Sequence, residues 1–341
     1  MPTLHKAFPL YISAAEQYSL ILSTQTLSDD ARNTIKKRWR LVLERAEKVK
    51  KRIEDLGGHV GKVGAGDEAE EQAIRIRGGL MNGVKLDLWS APSSSMFKGM
   101  KAVESQPELA KEQEARDPEW AEMDPAAWDQ HLTTDRWLVR QGPGADCSVV
   151  AGVGACLDHN RRFGTTVSPL ILTFLRSSRQ LVQSAILPKS AGGSPSRSEN
   201  GRHVVKLLLN GCWRSVLIDS LLPHSRSTGL PLHATSHPAV TPERPLASSV
   251  GPAWIPLLLK GYFKAHGGYS LRGSNPAPDV YTLTGWIPER IGLRDGFQRE
   301  KEWRRVKEAW DGGNVIVTLG TGSRGSCGDG LVPYHAYAVL G

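Results

Sequence analysis

In the stretch Gln141-Gly142-Pro143-Gly144-Ala145-Asp146-Cys147-Ser148-Val149-Val150, a thiol stands at the junction of a turn and a helix. Gly, Pro, Gly, Ala and Asp are turn-forming residues, and the apolar run after Cys147 has helical character. A helix N-terminus favours negative charge on a sulfur placed there, and the thiolate is the nucleophilic form of cysteine. Gln141 carries a side-chain amide that can donate to an oxyanion forming beside Cys147, with the Cys147 backbone N–H as second donor. Asp146 reads as an N-cap or loop-closing acceptor. Cys156 and Cys212 lie inside apolar runs and read as inert packing, while Cys327 sits in a Gly-rich loop.

A nucleophilic thiol needs a base, and His335 is placed to be one. It follows Gly330-Leu331-Val332-Pro333-Tyr334 and opens the run 336–340, which reads as a strand, so its ring would project from a strand edge across a cleft. The chain order, Cys before His, is that of the papain-like arrangement. His203, His224, His233, His237 and His266 are expected in loops or on helix surfaces, and their spacing matches no zinc pattern.

Composition narrows the class. The chain has 341 residues, 40% of them hydrophobic, enough for a sizeable core and more than one domain. A net charge of +8 comes from dispersed basic residues, denser only between Lys36 and Arg52, and nucleic acid is not expected as a partner. Four cysteines without a CxxC pair, and no apolar signal core at the N-terminus, point to a reduced, cytoplasmic protein. No apolar run has the length of a membrane span. No cofactor or metal is expected.

Residues 1–57 read as a helical hairpin. Ile35, Trp39, Val42, Ala46, Val49 and Ile53 recur at steps of four and three, with Ser28-Asp29-Asp30 as N-cap and Gly57-Gly58 as stop. Residues 58–125 read as a largely irregular linker with short helical pieces such as 106–115. Residues 126–283 read as a helix-rich lobe carrying Cys147, and 284–341 as a strand-rich lobe carrying His335, an α+β mixture with a cleft between lobes. Within them, 204–209 and 213–218 flank Asn210-Gly211 as a hairpin, 254–266 reads as an amphipathic helix ended by Gly267-Gly268, and 315–319 as a strand. The runs 170–175 and 181–187 are apolar without a clear type, and 189–200 and 224–249 read as insert loops outside the core.

These residues carry a family resemblance. QGPGADCSVVAGVGACLDHNRRFG resembles the active-site block of calpain-type cysteine proteases, in which Gln-Gly-x-x-x-Asp-Cys precedes a buried helix. VVKLLLNGCWRSVLIDSLLP, AWIPLLLKGYFKAHGGY, LTGWIPER and GLVPYHAYAVL extend it from about Trp128 to the end. Ser148, where most calpains have Trp, together with Arg161-Arg162-Phe163 and Thr284–Arg290, is similar to the PalB-like branch. Arg45-Ala46-Glu47-Lys48-Val49-Lys50 resembles the close of an MIT domain, a helical module that docks ESCRT-III tails, here without a full first helix.

The resemblance implies a papain-like two-lobe endopeptidase acting on protein substrates, with Cys147 as nucleophile, His335 as base and Gln141 at the oxyanion. It also implies ESCRT-III-linked recruitment to endosomes in ambient-pH signalling. A catalytically dead protein that only binds ESCRT-III tails is the alternative. The branch lacks EF-hands, no Asp-x-Asp-x-Asp-Gly loop occurs here, and calcium dependence is left open. The family's third catalytic residue is an Asn in an Asn-Pro-Trp motif some twenty-odd residues after the histidine, and this sequence stops at Gly341, so the His lobe is expected to be incomplete.

Overall fold

Asn210 and Gly211 both adopt positive φ, 50° and 74°, the pairing that a two-residue hairpin with native strand twist requires. The hairpin they close is the centre of the main sheet. The structure is a computed structural model describing residues 2–24, 29–55, 65–128, 137–163, 185–190, 195–238, 251–271, 275–293, 298–322 and 330–341. It divides into two compact units, Met1–Gln72 and Ala73–Gly341.

In the first unit α1 (Pro2–Thr24) and α2 (Asp29–Asp55) pack as a hairpin, burying Ala15 and Ile21 against Ala46 and Ile53. The stripe read from the sequence is the face that packs, and the small side chain at Ala46 lets the helices approach. Asp29 and Asp30 in the first turn of α2, and Arg52 in its last, complement the helix dipole. Ser28, Gly57 and Gly58, expected as cap and stop, lie outside the described residues. A third helix, α3 (Ala65–Arg77), leads into the second unit.

The residues expected as linker are largely structured. Strands β1 (Leu80–Met81) and β2 (Val84–Lys85) pair as a small hairpin, and β3 (Asp87–Leu88) begins the main sheet. The short helix α4 (Lys111–Glu114) is tied down by the buried Gln113, whose side chain accepts from Ala110 N–H at 2.7 Å and donates to Leu232 O at 2.6 Å. Strand β4 (Pro118–Glu122) follows. These strands are short, and β3 and β4 find their partners far along the chain, so no local period announces them.

Next come β5 (Trp137–Arg140), α5 (Cys147–Phe163), β6 (Ile186–Leu187), β7 (Arg202–Leu209), β8 (Cys212–Asp219), β9 (Leu221–Ser225) and β10 (Thr235–Pro238). The main sheet has the order β3-β8-β7-β6, while β4 pairs with β9 and β5 with β10, all antiparallel. The part expected to be helix-rich therefore holds many strands. The loops expected outside the core also contribute to it, since Ser198, Asn200, Leu232, His233 and Ala234 are buried. The run 170–175 lies outside the described residues.

Helix α6 (Trp254–His266) crosses the sheet and is buried on nearly every face rather than amphipathic. A Cβ on Gly261 would lie 2.5 Å from Val205 Cγ2, so glycine marks the crossing point on β7. Gly267 ends the helix at φ 91°, as expected. Buried Lys260 on α6 pairs with Asp219 Oδ1 at 2.5 Å and also donates to Leu221 O. Helices α7 (Pro276–Thr284) and α8 (Arg299–Asp311), which the sequence reading did not separate out, lead to β11 (Thr318–Gly320) and β12 (Ala336–Ala338), an antiparallel pair. Asn275 caps α7 by accepting Ala277 N–H at 2.9 Å, ahead of Pro276 in the first turn.

Candidate active site

Cys147 is the first residue of α5, half-buried and a free thiol. The loop before it is shaped by close backbone approach. A Cβ on Gly142 would lie 3.0 Å from the His233 carbonyl carbon, and one on Gly144 would lie 3.2 Å from Tyr269 O. Asp146, buried with 2% exposure, accepts Gly142 N–H at 3.2 Å, and its carbonyl receives Val150 N–H at 3.1 Å, the first bond of the helix. Asp146 thus closes the loop, one of its two expected roles. Burial pushes its carboxyl up to about 7, with the Gly142 N–H opposing. Gln141 follows β5, whose pairing Arg140↔Thr235 fixes its backbone, and is exposed at the surface of this loop.

Beneath the start of α5, the residue after Cys147 is the buried Ser148. Its hydroxyl and that of Tyr262 lie beside the Asp279 carboxylate on α7; Tyr262 Oη donates to Asp279 Oδ1 at 2.7 Å. Burial raises the Asp279 pKa, and the two hydroxyls oppose it. A polar network thus lies directly beneath the first turn of α5.

His335 immediately precedes β12. Its backbone N–H donates to Thr321 Oγ1 at 2.9 Å and its carbonyl accepts Thr321 N–H at 2.9 Å, extending the β11–β12 ladder by one residue. The imidazole is half-buried and stands edge-on to the Tyr337 ring, centroids 4.9 Å apart. Tyr334 just before it takes φ 53°, a left-handed conformation that turns the chain into the strand.

Two contacts relate the histidine strand to the cysteine helix. A Cβ on Gly154 would lie 3.8 Å from the Ala338 methyl carbon, and Gly341 N–H donates to Asp158 Oδ2 at 2.9 Å. Moving forward along the strand therefore moves forward along the helix. Stepping back from the first contact, three strand residues at about 3.3 Å and seven helical residues at about 1.5 Å both cover roughly 10 Å. His335 and Cys147 therefore each precede the Gly154–Ala338 approach by about the same length of their own element. Gln141 and Cys147 flank one loop at the leading end of α5.

Other histidines lie where the sequence did not suggest. His203 is buried in β7, stacked on Trp128 with centroids 5.0 Å apart, and burial lowers its pKa to about 4. His233 is buried beside His224, which lies on β9, and burial lowers the His233 pKa to about 4 as well. His159 on α5 is buried against Trp286 and Phe163, with its Nε2 3.0 Å from Gly313 O; burial lowers its pKa while that carbonyl opposes. His237 side-chain placement and Cys327 lie outside what is described. Among the described residues no three His, Cys, Asp or Glu side chains converge as a metal site, and no helix is long and apolar enough to cross a membrane.

Residues 90–341 match the model of the calpain family of cysteine proteases. The chain belongs to that family. It is 52% identical over 342 residues to the calpain-like protease palB/RIM13 of Cryptococcus neoformans, covering 100% of this chain and 40% of the relative. Similarity to palB/cpr-8 of Neurospora crassa is 37% over 204 residues, 59% of this chain and 19% of that protein. Human calpain-7 is 32% identical over 214 residues, 61% and 23% respectively. The chain thus spans 40% of the length of its fungal relative. The family is one of cysteine proteases, the fungal similarity is to its palB members, and the mixed helices and small sheets fit the α+β papain-like fold.

Proposed function

We propose that this chain is the catalytic part of a calpain-like endopeptidase in which Cys147 is the nucleophile, His335 the base and Gln141 an oxyanion donor. What supports it is that the element opened by His335 packs along the helix opened by Cys147 and runs in the same direction, with Gly154 near Ala338 and Asp158 bonded to Gly341. His335 would take the thiol proton, and the sulfur would attack the scissile carbonyl of an extended polypeptide. The Gln141 amide and the Cys147 N–H would hold the oxyanion. Protonated His335 would then release the amine, and water would hydrolyse the thioester.

The expected test outcome is that iodoacetamide at neutral pH alkylates Cys147 faster than Cys156 or Cys212, and that His335→Ala removes the preference. Equal slow labelling of all cysteines would instead support a non-catalytic scaffold.

At the finer level, we read the PalB-like sequence and the α1–α2 hairpin as an MIT-like module that docks ESCRT-III tails, recruiting the protease to endosomes in ambient-pH signalling. The Arg45–Lys50 segment supports this, with buried Ala46 holding the hairpin and its charged neighbours facing solvent. Titrating a fluorescent ESCRT-III tail peptide with the full chain should give saturable anisotropy. A flat titration rejects the docking role without touching the protease reading.

A further inference from the structure

Helix α5 is apolar through most of its length but ends in a polar turn containing Asp158, His159, Arg161 and Arg162. Each of these side chains meets a point on the polypeptide that carries His335. Asp158 Oδ2 accepts Gly341 N–H at 2.9 Å, and Arg161 Nη2 donates both to Gly341 O at 2.6 Å and to Asp158 Oδ1 at 2.7 Å. His159 Nε2 is 3.0 Å from Gly313 O. Arg162 Nη2 donates to Trp310 O at 3.3 Å, and its guanidinium carbon lies 3.4 Å from the Trp310 ring centroid and 4.7 Å from that of Phe163. The Asp158 side chain is only 4% exposed.

Apart from the Arg161–Asp158 bond within the helix, the hydrogen bonds in this set go to backbone atoms of the segment 310–341, so they fix where that segment lies whatever its side chains. They act at the opposite end of the helix from Cys147. The Gly154–Ala338 contact lies between, so β12 is held at two points along a rigid rod, and loosening the far one lets the strand pivot about the near one. We infer that the Asp158–Arg162 turn is a positioning clamp that sets the alignment of His335 with Cys147. The inference rests on the Cys147–His335 reading given above. A displacement of about 1 Å at reacting atoms can cost on the order of 100-fold in rate, so small slack at the clamp is felt at the thiol.

The test follows iodoacetamide alkylation of each cysteine separately, by peptide mapping of the full chain between about pH 5 and 9, a range that brackets imidazole titration. His335→Ala is expected to slow Cys147 alkylation at least about tenfold near neutral pH and to change the shape of its pH profile. Asp158→Ala is expected to fall within about twofold of that rate and to share its profile, with no further loss when the two are combined. Asp158→Asn, which keeps an acceptor for Gly341 N–H, is expected to recover most of the rate. A purely structural role would not reproduce the His335→Ala profile.

An Asp158→Ala profile equal to the parent's, with His335→Ala altered, overturns the clamp and leaves the catalytic pair standing. A His335→Ala profile equal to the parent's overturns the pair itself, and the clamp with it. Buried Cys156 reports folding in every sample. Should Asp158→Ala expose it, Arg162→Lys, which keeps the charge but loses the stacking on Trp310, is held to the same two outcomes.

Discussion

The Asp146 carboxylate accepts a hydrogen bond from Gly142 N–H at 3.2 Å, closing the loop that presents Gln141 on one side and Cys147 on the other. An aspartate next to the nucleophile here acts on the backbone. Its burial gives the loop a pH dependence of its own.

With a folded pKa of about 7 against 3.8 unfolded, Asp146 binds its proton more tightly in the folded state, so its contribution makes stability fall as pH rises from about 4 to about 7. The full span corresponds to roughly 4 kcal/mol. Asp146→Asn, which keeps an acceptor for Gly142 N–H, should remove that slope and be most stabilising above about pH 7. Urea unfolding of both proteins across this range checks it; parallel curves would contradict the assignment.

His203 carries the opposite sign. Its pKa, lowered from 6.5 to about 4 by burial, means that the unfolded state binds the proton first, so stability is lost as pH falls through this window, by up to about 3 kcal/mol. His203→Phe preserves the stacking on Trp128 and should hold its unfolding midpoint between pH 6.5 and 4 better than the parent does. Equal acid sensitivity of the two would refute this.

The buried pair Lys260–Asp219 should tolerate no single truncation. Asp219 also accepts from Glu104 N and Gln106 Nε2, each at 2.7 Å, and Asp219→Ala strands the Lys260 ammonium in the core. The expected cost is about 3–5 kcal/mol. Lys260→Met with Asp219→Asn should recover a good part of it, as read by chemical denaturation.

Thr321→Val is nearly isosteric but deletes the hydroxyl that accepts His335 N–H at 2.9 Å and donates to Val332 O at 2.6 Å. Global stability should fall by only about 1 kcal/mol. Cys147 alkylation near neutral pH should slow severalfold, because the hydroxyl holds the backbone of the proposed base. An unchanged alkylation rate with lowered stability would confine Thr321 to a structural part.

Within about ten residues, sequence patterns were readable. The α2 stripe, the Asn210-Gly211 hairpin, the extent of α6 and the helix beginning at Cys147 all follow from local period, turn chemistry or caps. Within 65–125, β3 and β4 gain their hydrogen bonds from β8 and β9, about a hundred positions away or more, so the local sequence does not announce them. His203 and His233 looked like surface residues for the same reason, since nothing adjacent in the chain reports that Trp128 or His224 will cover them. Helix α8 carries Trp303, Val306 and Trp310 at helical steps of three and four, a stripe the sequence reading passed over, and none of its residues is fully buried.

The amino-acid order alone therefore determined a thiol at a helix start, a later histidine opening a strand, and the family to which both point. Folding decided which residue of β12 lies near which residue of α5, and that Asp158 and Arg161 bond to Gly341 just past the end of that strand. Local propensity acts over a turn or a hairpin, whereas the alignment of two reactive groups nearly two hundred positions apart depends on packing that only the assembled core supplies.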